Sequence, residues 1–87
     1  MNKVIWTELA ESNFDNILFY LSQNSESYLE IFKTKFDSTI DKLLLFPNMG
    51  KDFKEVKEYP FENYRIIYDI FENNLILISI THSRRNF

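Results

Sequence analysis

Residues 64–85 read YRIIYDIFENNLILISITHSRR, and this stretch decides the fold. Two runs rich in Ile, Leu and Tyr, at about 63–71 and 75–82, flank the dipeptide Asn73-Asn74. Strand-forming runs joined by a short Asn-containing turn predict a β-hairpin. Arg65 lies inside the first run, and His82, the only histidine of the chain, ends the second. A hairpin that served only as core would not need these polar residues, so both are candidates for function.

Alternation along the second run gives its residues two faces. It places Ile76, Ile78 and Ile80 on one face, with His82 on the same face just past the apolar part. The first run is apolar on both sides, so alternation alone does not say which side meets the rest of the core.

The N-terminal half predicts a strand followed by two helices. A short apolar segment at 2–6 leads to Thr7, a good N-cap. Apolar residues then recur at three- and four-residue spacing, which predicts helices at about 8–22 and 26–46. The polar cluster between them predicts a short loop, and two helices joined in this way pack as an antiparallel hairpin.

The middle of the chain carries the turn signals. Pro47 ends the second helix, and Gly50, the only glycine, predicts a turn that needs positive φ. Residues 53–59 alternate weakly and carry four charges, as a short edge strand would, and Pro60 ends that strand. The order β, α, α, β, β, β predicts one α+β domain over residues 1–87. In it, an N-terminal strand and an α-helical hairpin pack on a mainly antiparallel four-stranded sheet.

Composition excludes several function classes. The chain has no cysteine, which excludes disulfides, zinc–cysteine sites and thiol nucleophiles and suits a reducing cytoplasm. No run approaches the roughly 20 apolar residues of a membrane span, so we expect a cytoplasmic protein with no membrane partner. Gly-rich phosphate loops and metal-ligand spacings are missing from the sequence, and we expect no metal or other cofactor. The net charge of −3 argues against a general nucleic-acid binder.

Arg65 and His82 each allow a structural and a functional interpretation. An arginine within a strand must reach solvent, pair with a carboxylate such as Asp69, or bind a phosphate. A histidine with an ordinary pKa of about 6.5 is suited to general acid–base catalysis, although one at a strand end is more often a packing residue.

The remaining cations form two short groups: Lys51, Lys54 and Lys57, then Arg84 and Arg85. They make a basic patch if the fold brings them near Arg65, and otherwise a solvated face. The chain also has nine Phe, five Tyr and one Trp, and so small a domain should leave some of them exposed. A helix or strand from a partner would cover such side chains.

Four blocks of the chain, in order and in spacing, resemble RelE/ParE toxins. The blocks are Val4-Ile5-Trp6-Thr7-x-x-Ala10, Leu43-x-x-Phe46-Pro47-x-Met49-Gly50-Lys51, Tyr64-Arg65-Ile66-Ile67-Tyr68 and Ile78-x-Ile80-x-His82-x-Arg84-Arg85. The resemblance spans nearly the whole chain. It implies a small α+β toxin of a type II toxin-antitoxin pair, neutralised by a cognate antitoxin and present as a homodimer or a toxin-antitoxin hetero-oligomer.

The resemblance leaves the target open between two branches. RelE-like toxins cleave mRNA in the ribosomal A site, and in that branch Arg65, His82, Arg84 and Arg85 would be catalytic. ParE-like toxins are associated with inhibition of DNA gyrase, and here the three lysines with Arg84 and Arg85 would bind the target. The Phe-Pro-x-Met-Gly turn, the His-x-Arg-Arg ending and the net acidity resemble ParE more closely. We therefore favour a ParE-like gyrase inhibitor over a ribosome-dependent mRNA interferase, with an inactive homologue that only binds its antitoxin as a third reading.

Overall fold

A computed structural model of the chain describes residues 3–83. Its elements, in chain order, are β1 (Val4–Trp6), α1 (Glu8–Asn24), α2 (Glu26–Leu45), a 3₁₀ turn (Pro47–Met49), β2 (Lys51–Phe53), β3 (Val56–Phe61), β4 (Tyr64–Phe71) and β5 (Asn74–His82). The strands form one sheet in the order β1-β5-β4-β3-β2. The β1 strand is parallel to β5, and all other neighbours are antiparallel. The α+β class is confirmed, with five strands where we expected four.

The helical hairpin follows the sequence pattern closely. Thr7 caps α1, because its Oγ1 accepts a hydrogen bond from the Ala10 amide at 3.0 Å. The first helix continues past its predicted end at residue 22 as far as Asn24, and the side chains of Ser22 and Asn24 donate hydrogen bonds to carbonyls of the preceding turn. Ser25 alone then connects the helices.

The extra strand comes from residues 51–61, which form a hairpin rather than one edge strand. Lys54 adopts a left-handed conformation with φ 58° and turns the chain between β2 and β3. Pro60 does not end the strand but lies inside β3, opposite Arg65 of β4. The β2 strand pairs only with residues 56–58, so the side of β3 that faces β2 is open at Pro60. A missing N–H is tolerated at such an open edge.

The β4–β5 hairpin is present, with its turn one residue earlier than predicted. Phe71 pairs with Asn74, and the two residues between them, Glu72 and Asn73, have φ of 52° and 67°. Two consecutive positive φ values are the pattern of a type I′ turn, whose twist matches that of the strands.

A β-bulge in β5 corrects the predicted faces of that strand. Ile67 pairs with Ser79 whereas Tyr68 pairs with Leu77, so Ile78 is an extra residue. Thr7 holds the bulge by donating its hydroxyl to the Ile78 carbonyl at 2.7 Å. Alternation therefore restarts after the bulge. Ile80 shares the helix-covered face with Leu75 and Leu77, not with Ile76 and Ile78, and His82 remains on the face of Ile80.

Gly50 is required for a reason other than the predicted positive φ. Its φ is −73°, an ordinary extended conformation. The ring of Tyr68 packs directly against it, and a Cβ at this position would lie 2.8 Å from one ring carbon. The Tyr68 hydroxyl accepts from the Gly50 amide at 3.0 Å and donates to the Pro47 carbonyl at 2.7 Å. Glycine therefore allows the close approach of a fully buried tyrosine.

Aromatic rings fill the space between the helices and the sheet. The ring centroid of Phe36 lies 4.6 Å from that of Phe14 and 5.5 Å from that of Phe61. Other aromatics lie on the surface, with Phe19 67% and Tyr20 58% exposed. The expectation that part of the aromatic content is exposed is confirmed. Within residues 3–83, neither helix is long and apolar enough to cross a membrane.

Candidate functional site

Arg65 lies on the face of the sheet opposite the helices, where it pairs with Glu58. Its Nη1 is 2.9 Å from Glu58 Oε1, and both side chains are largely buried. Cross-strand register explains the choice of partner, because the two residues are diagonal neighbours on β3 and β4. Of the three expected roles for Arg65, the structure shows pairing with a carboxylate, and that carboxylate is Glu58. Asp69, the example given above, lies four residues further along β4, which is about 13 Å at 3.3 Å per residue.

The three lysines do not gather around Arg65 but are divided between different surfaces. Lys51 lies directly across from Glu58, on the same face as Arg65. Lys57 lies across from Tyr68 and forms an ion pair with Asp52, with 2.6 Å between Nζ and Oδ1. This hydrogen bond raises the pKa of Lys57.

Lys54 occupies the β2–β3 turn, where its Nζ lies 5.7 Å from the centroid of the Phe53 ring. Only Lys51 thus shares a face with Arg65 among the three lysines. Arg84 and Arg85, the other predicted site residues, lie outside the described residues.

His82 ends β5 directly opposite Tyr64, and the two rings meet edge to face with centroids 5.2 Å apart. A hollow of about 350 Å³ lies on one side of His82. Its lining residues, which define what we call the arginine hollow, are Asn13, Arg65, Ile80, Thr81 and His82. The structure therefore places Arg65 and His82 beside the same hollow. They lie on neighbouring strands, and their side chains leave opposite faces of the sheet.

His82 also lines a larger cavity of about 690 Å³. Its walls come from the α1–α2 connection, the start of α2, the β3–β4 turn and the end of β5. The lining residues, which define the tyrosine cavity, are Tyr20, Leu21, Ser25, Tyr28, Phe32, Glu62, Asn63, Tyr64 and His82. Three of the five tyrosines of the chain therefore meet in one cavity.

Glu62 is the acidic group of the tyrosine cavity. It sits in the β3–β4 turn with φ 56°, and its Oε1 accepts a hydrogen bond from the Tyr28 hydroxyl at 2.6 Å. Lys35 Nζ lies 3.5 Å from its other oxygen. The Tyr28 bond is the main cause of a lowered pKa of Glu62. The same bond, with smaller contributions from burial and from the charge of Glu62, raises the pKa of Tyr28 to about 12.

Sequence reasoning missed the tyrosine cavity. Tyr20 and Tyr28 lie eight residues apart on either side of the predicted helix connection, which was a signal that both sit at one end of the helical hairpin. Glu62 gave no such signal, because it lies 34 residues from Tyr28 in the chain. Among residues 3–83, no group of three or more His, Asp or Glu side chains is placed to hold a metal ion.

One family model matches nearly the whole chain. It describes the ParE toxin of the type II toxin-antitoxin system, parDE, and matches residues 4–87. The chain belongs to the ParE toxin family. The resemblance to RelE/ParE toxins, and to their ParE-like branch, is thereby confirmed.

A solved structure of similar fold is the chromosomal ParDE TA system from P. aeruginosa. The match has a TM-score of 0.74 and 15% sequence identity, and it covers 94% of this chain and 96% of that chain. At this identity the similarity shows a common fold. A comparison with curated protein sequences gives no match.

Proposed function

We propose that this ParE-family chain is the toxin of a type II toxin-antitoxin pair, that a cognate antitoxin neutralises it, and that it stops growth by binding DNA gyrase. The family match over residues 4–87 supports the toxin assignment. The similar solved structure is itself described as a ParDE TA system, which supports an antitoxin partner. Exposed apolar side chains such as Leu45 and Phe46 supply surface that a partner would cover.

The observation that carries the choice of target is the ion pair of Arg65 with Glu58. An arginine that stabilises a scissile phosphate must direct its guanidinium at the substrate. Here a largely buried carboxylate holds Arg65 at 2.9 Å, and Asp52 holds Lys57 at 2.6 Å. Cations that are already paired attract RNA phosphates weakly, and the chain as a whole carries a net charge of −3. A protein target fits this charge distribution better than mRNA.

The second candidate function is that of a ribosome-dependent mRNA interferase. One observation favours it, because Arg65 and His82 both line the arginine hollow. In this mechanism Arg65, with Arg84 or Arg85, would stabilise charge on the scissile phosphate while His82 transfers a proton.

Induced expression of the chain alone separates the two functions. DNA supercoiling and gyrase-linked DNA breaks are assayed beside primer extension on cellular mRNA. We expect breaks with intact mRNA, and we expect deletion of residues 84–87 to relieve growth inhibition. His82→Ala separates the two functions further, because mRNA cleavage by acid–base catalysis should be lost without this side chain.

The opposite results distinguish the alternatives. Cuts within translated codons, normal DNA and loss of cleavage in His82→Ala would replace the gyrase proposal with the interferase. Normal growth together with antitoxin binding would make the chain an inert homologue that retains only its partner.

A further inference from the structure

The tyrosine cavity combines an anionic group with several aromatic rings. Of the nine described residues that line it, four are Tyr or Phe, one is the carboxylate Glu62 and none is Lys or Arg. Aromatic rings attract cations through their negative faces, and a nearby carboxylate adds charge attraction. The chemistry of the lining therefore selects a cation with a flat or apolar body.

We propose that the tyrosine cavity is the receptor for an arginine side chain of a protein partner. A guanidinium is planar, stacks on aromatic rings and forms paired hydrogen bonds with a carboxylate. The volume of about 690 Å³ exceeds what one side chain fills, so it also admits the flanking residues of a docked segment. This assignment goes beyond the toxin function, since it specifies what one contact surface recognises.

Lys35 shows that this corner of the molecule accommodates a cation. Its ammonium lies 5.8 Å from the ring centroid of Tyr28 and 3.5 Å from Glu62 Oε2. The contact is long, and half of the Lys35 side chain is exposed, so it is a weak ion pair. A carboxylate offers about four acceptor positions, so Glu62 keeps capacity for a closer partner. An arginine would approach the same carboxylate from the cavity, at the shorter distance of a paired hydrogen bond.

Nucleotides are the competing occupant, because bases also stack on tyrosine. The Glu62 carboxylate and the net charge of −3 would both repel the phosphates of a nucleotide. The same charges attract a guanidinium. The charge of the cavity thus favours the side chain of a protein.

The test is an NMR titration of the full chain that follows the ring signals of Tyr20, Tyr28 and Tyr64. The probes are N-acetyl-arginine methylamide, the equivalent capped citrulline, which is neutral and of similar shape, and adenosine monophosphate, all at constant ionic strength. We expect the arginine probe to shift the three rings and to bind at least about tenfold more tightly than the citrulline probe, which corresponds to about 1.4 kcal/mol.

Two pairs of variants locate the binding. Tyr20→Ala should weaken arginine binding about fivefold, whereas its matched control Phe19→Ala, at an exposed neighbour outside the cavity, should not. Glu62→Gln keeps the side-chain shape in the strained turn and should weaken binding about tenfold. The control Glu55→Gln removes an exposed carboxylate from a different turn and should have no effect.

Three outcomes would overturn the proposal. They are equal binding of the arginine and citrulline probes, tighter binding of adenosine monophosphate, or unchanged arginine binding in both Tyr20→Ala and Glu62→Gln. Backbone spectra of each variant verify the fold. The titration uses the chain without gyrase or mRNA, so its result is independent of the toxicity assay.

Discussion

Two tyrosines at opposite ends of α2 use their hydroxyls in opposite ways. Tyr68, beside the turn that follows the helix, is fully buried and bonds only to backbone, at Gly50 and Pro47. Tyr28, in the first turn of α2, bonds to the side chain of Glu62 at the rim of an open cavity. The first arrangement fixes the path of the chain, and the second holds a charged group ready at a surface. The comparison predicts that loss of the Tyr68 hydroxyl destabilises the domain more than loss of the Tyr28 hydroxyl.

The largest effect should come from Gly50→Ala. The added Cβ would meet the Tyr68 ring at 2.8–2.9 Å, so either the ring or the turn must move and the two hydrogen bonds are strained. Overpacking together with a damaged polar contact predicts a loss of about 3 kcal/mol in the free energy of unfolding. Urea denaturation measures it. A loss below about 1 kcal/mol would mean that the turn relaxes easily and that the Tyr68 end is not rigid.

Tyr68→Phe and Tyr28→Phe compare the two ends directly. Tyr68→Phe leaves the Gly50 amide and the Pro47 carbonyl without their partner in a buried site, which predicts a loss of about 2 kcal/mol. Tyr28→Phe leaves the Glu62 carboxylate without one partner, but water can reach it. The free energy of unfolding should therefore fall by less than about 0.5 kcal/mol. Thermal and urea unfolding of both variants measure the difference. Equal losses would remove the distinction that we draw between the two ends.

The ion pair of Arg65 with Glu58 should contribute an intermediate amount to the free energy of unfolding. Arg65→Met leaves Glu58, which is only 8% exposed, without its cation, and should lower the free energy of unfolding by about 1–2 kcal/mol. A double-mutant cycle with Glu58→Gln should give a coupling energy of about 1 kcal/mol. A coupling near zero, with full loss of toxicity in the arginine variant, would instead assign Arg65 to the target.

The smallest expected effect is the change in stability with pH that comes from the Tyr28–Glu62 hydrogen bond at the rim of the tyrosine cavity. The pKa of Tyr28 is raised to about 12, so the Glu62 bond contributes stability that is complete below about pH 10 and lost as pH rises toward 12. At the acid end, the lowered pKa of Glu62 means that the contribution is present above its ordinary 4.5 and lost as pH falls through its folded value.

Carbon-13 NMR of the tyrosine Cζ atoms measures the pKa values of Tyr28 and Tyr68. Glu62→Gln should move the pKa of Tyr28 back toward 10.0. Tyr68 serves as the internal control, because burial is the main cause of its raised pKa, and it should not respond. A response at Tyr68, or none at Tyr28, would contradict the assigned causes.

Residue types alone pointed to candidate residues but not to the partners of their side chains. Arg65 and His82 were identified from their unusual places in strands, and both line the arginine hollow. The partner of Arg65 is on another strand, where only the register of β3 against β4 decides which carboxylate is near. The tyrosine cavity was missed because its walls come from four separate parts of the chain.

The sequence by itself determined the two helices with their cap at Thr7, the β4–β5 hairpin, the α+β class and the resemblance that identifies the family. The helices, their cap and the hairpin depend on patterns within about 20 residues, where spacing and local propensity act directly. The class and the resemblance depend on the order of these local patterns along the chain.

Tertiary structure alone decided the bulge at Ile78, the need for glycine at position 50, the pairing of Arg65 and the meeting of Tyr28 with Glu62. Most of these features join residues that are far apart in the chain or depend on strand register. Side-chain periodicity does not fix register once a single extra residue in a strand reverses its faces.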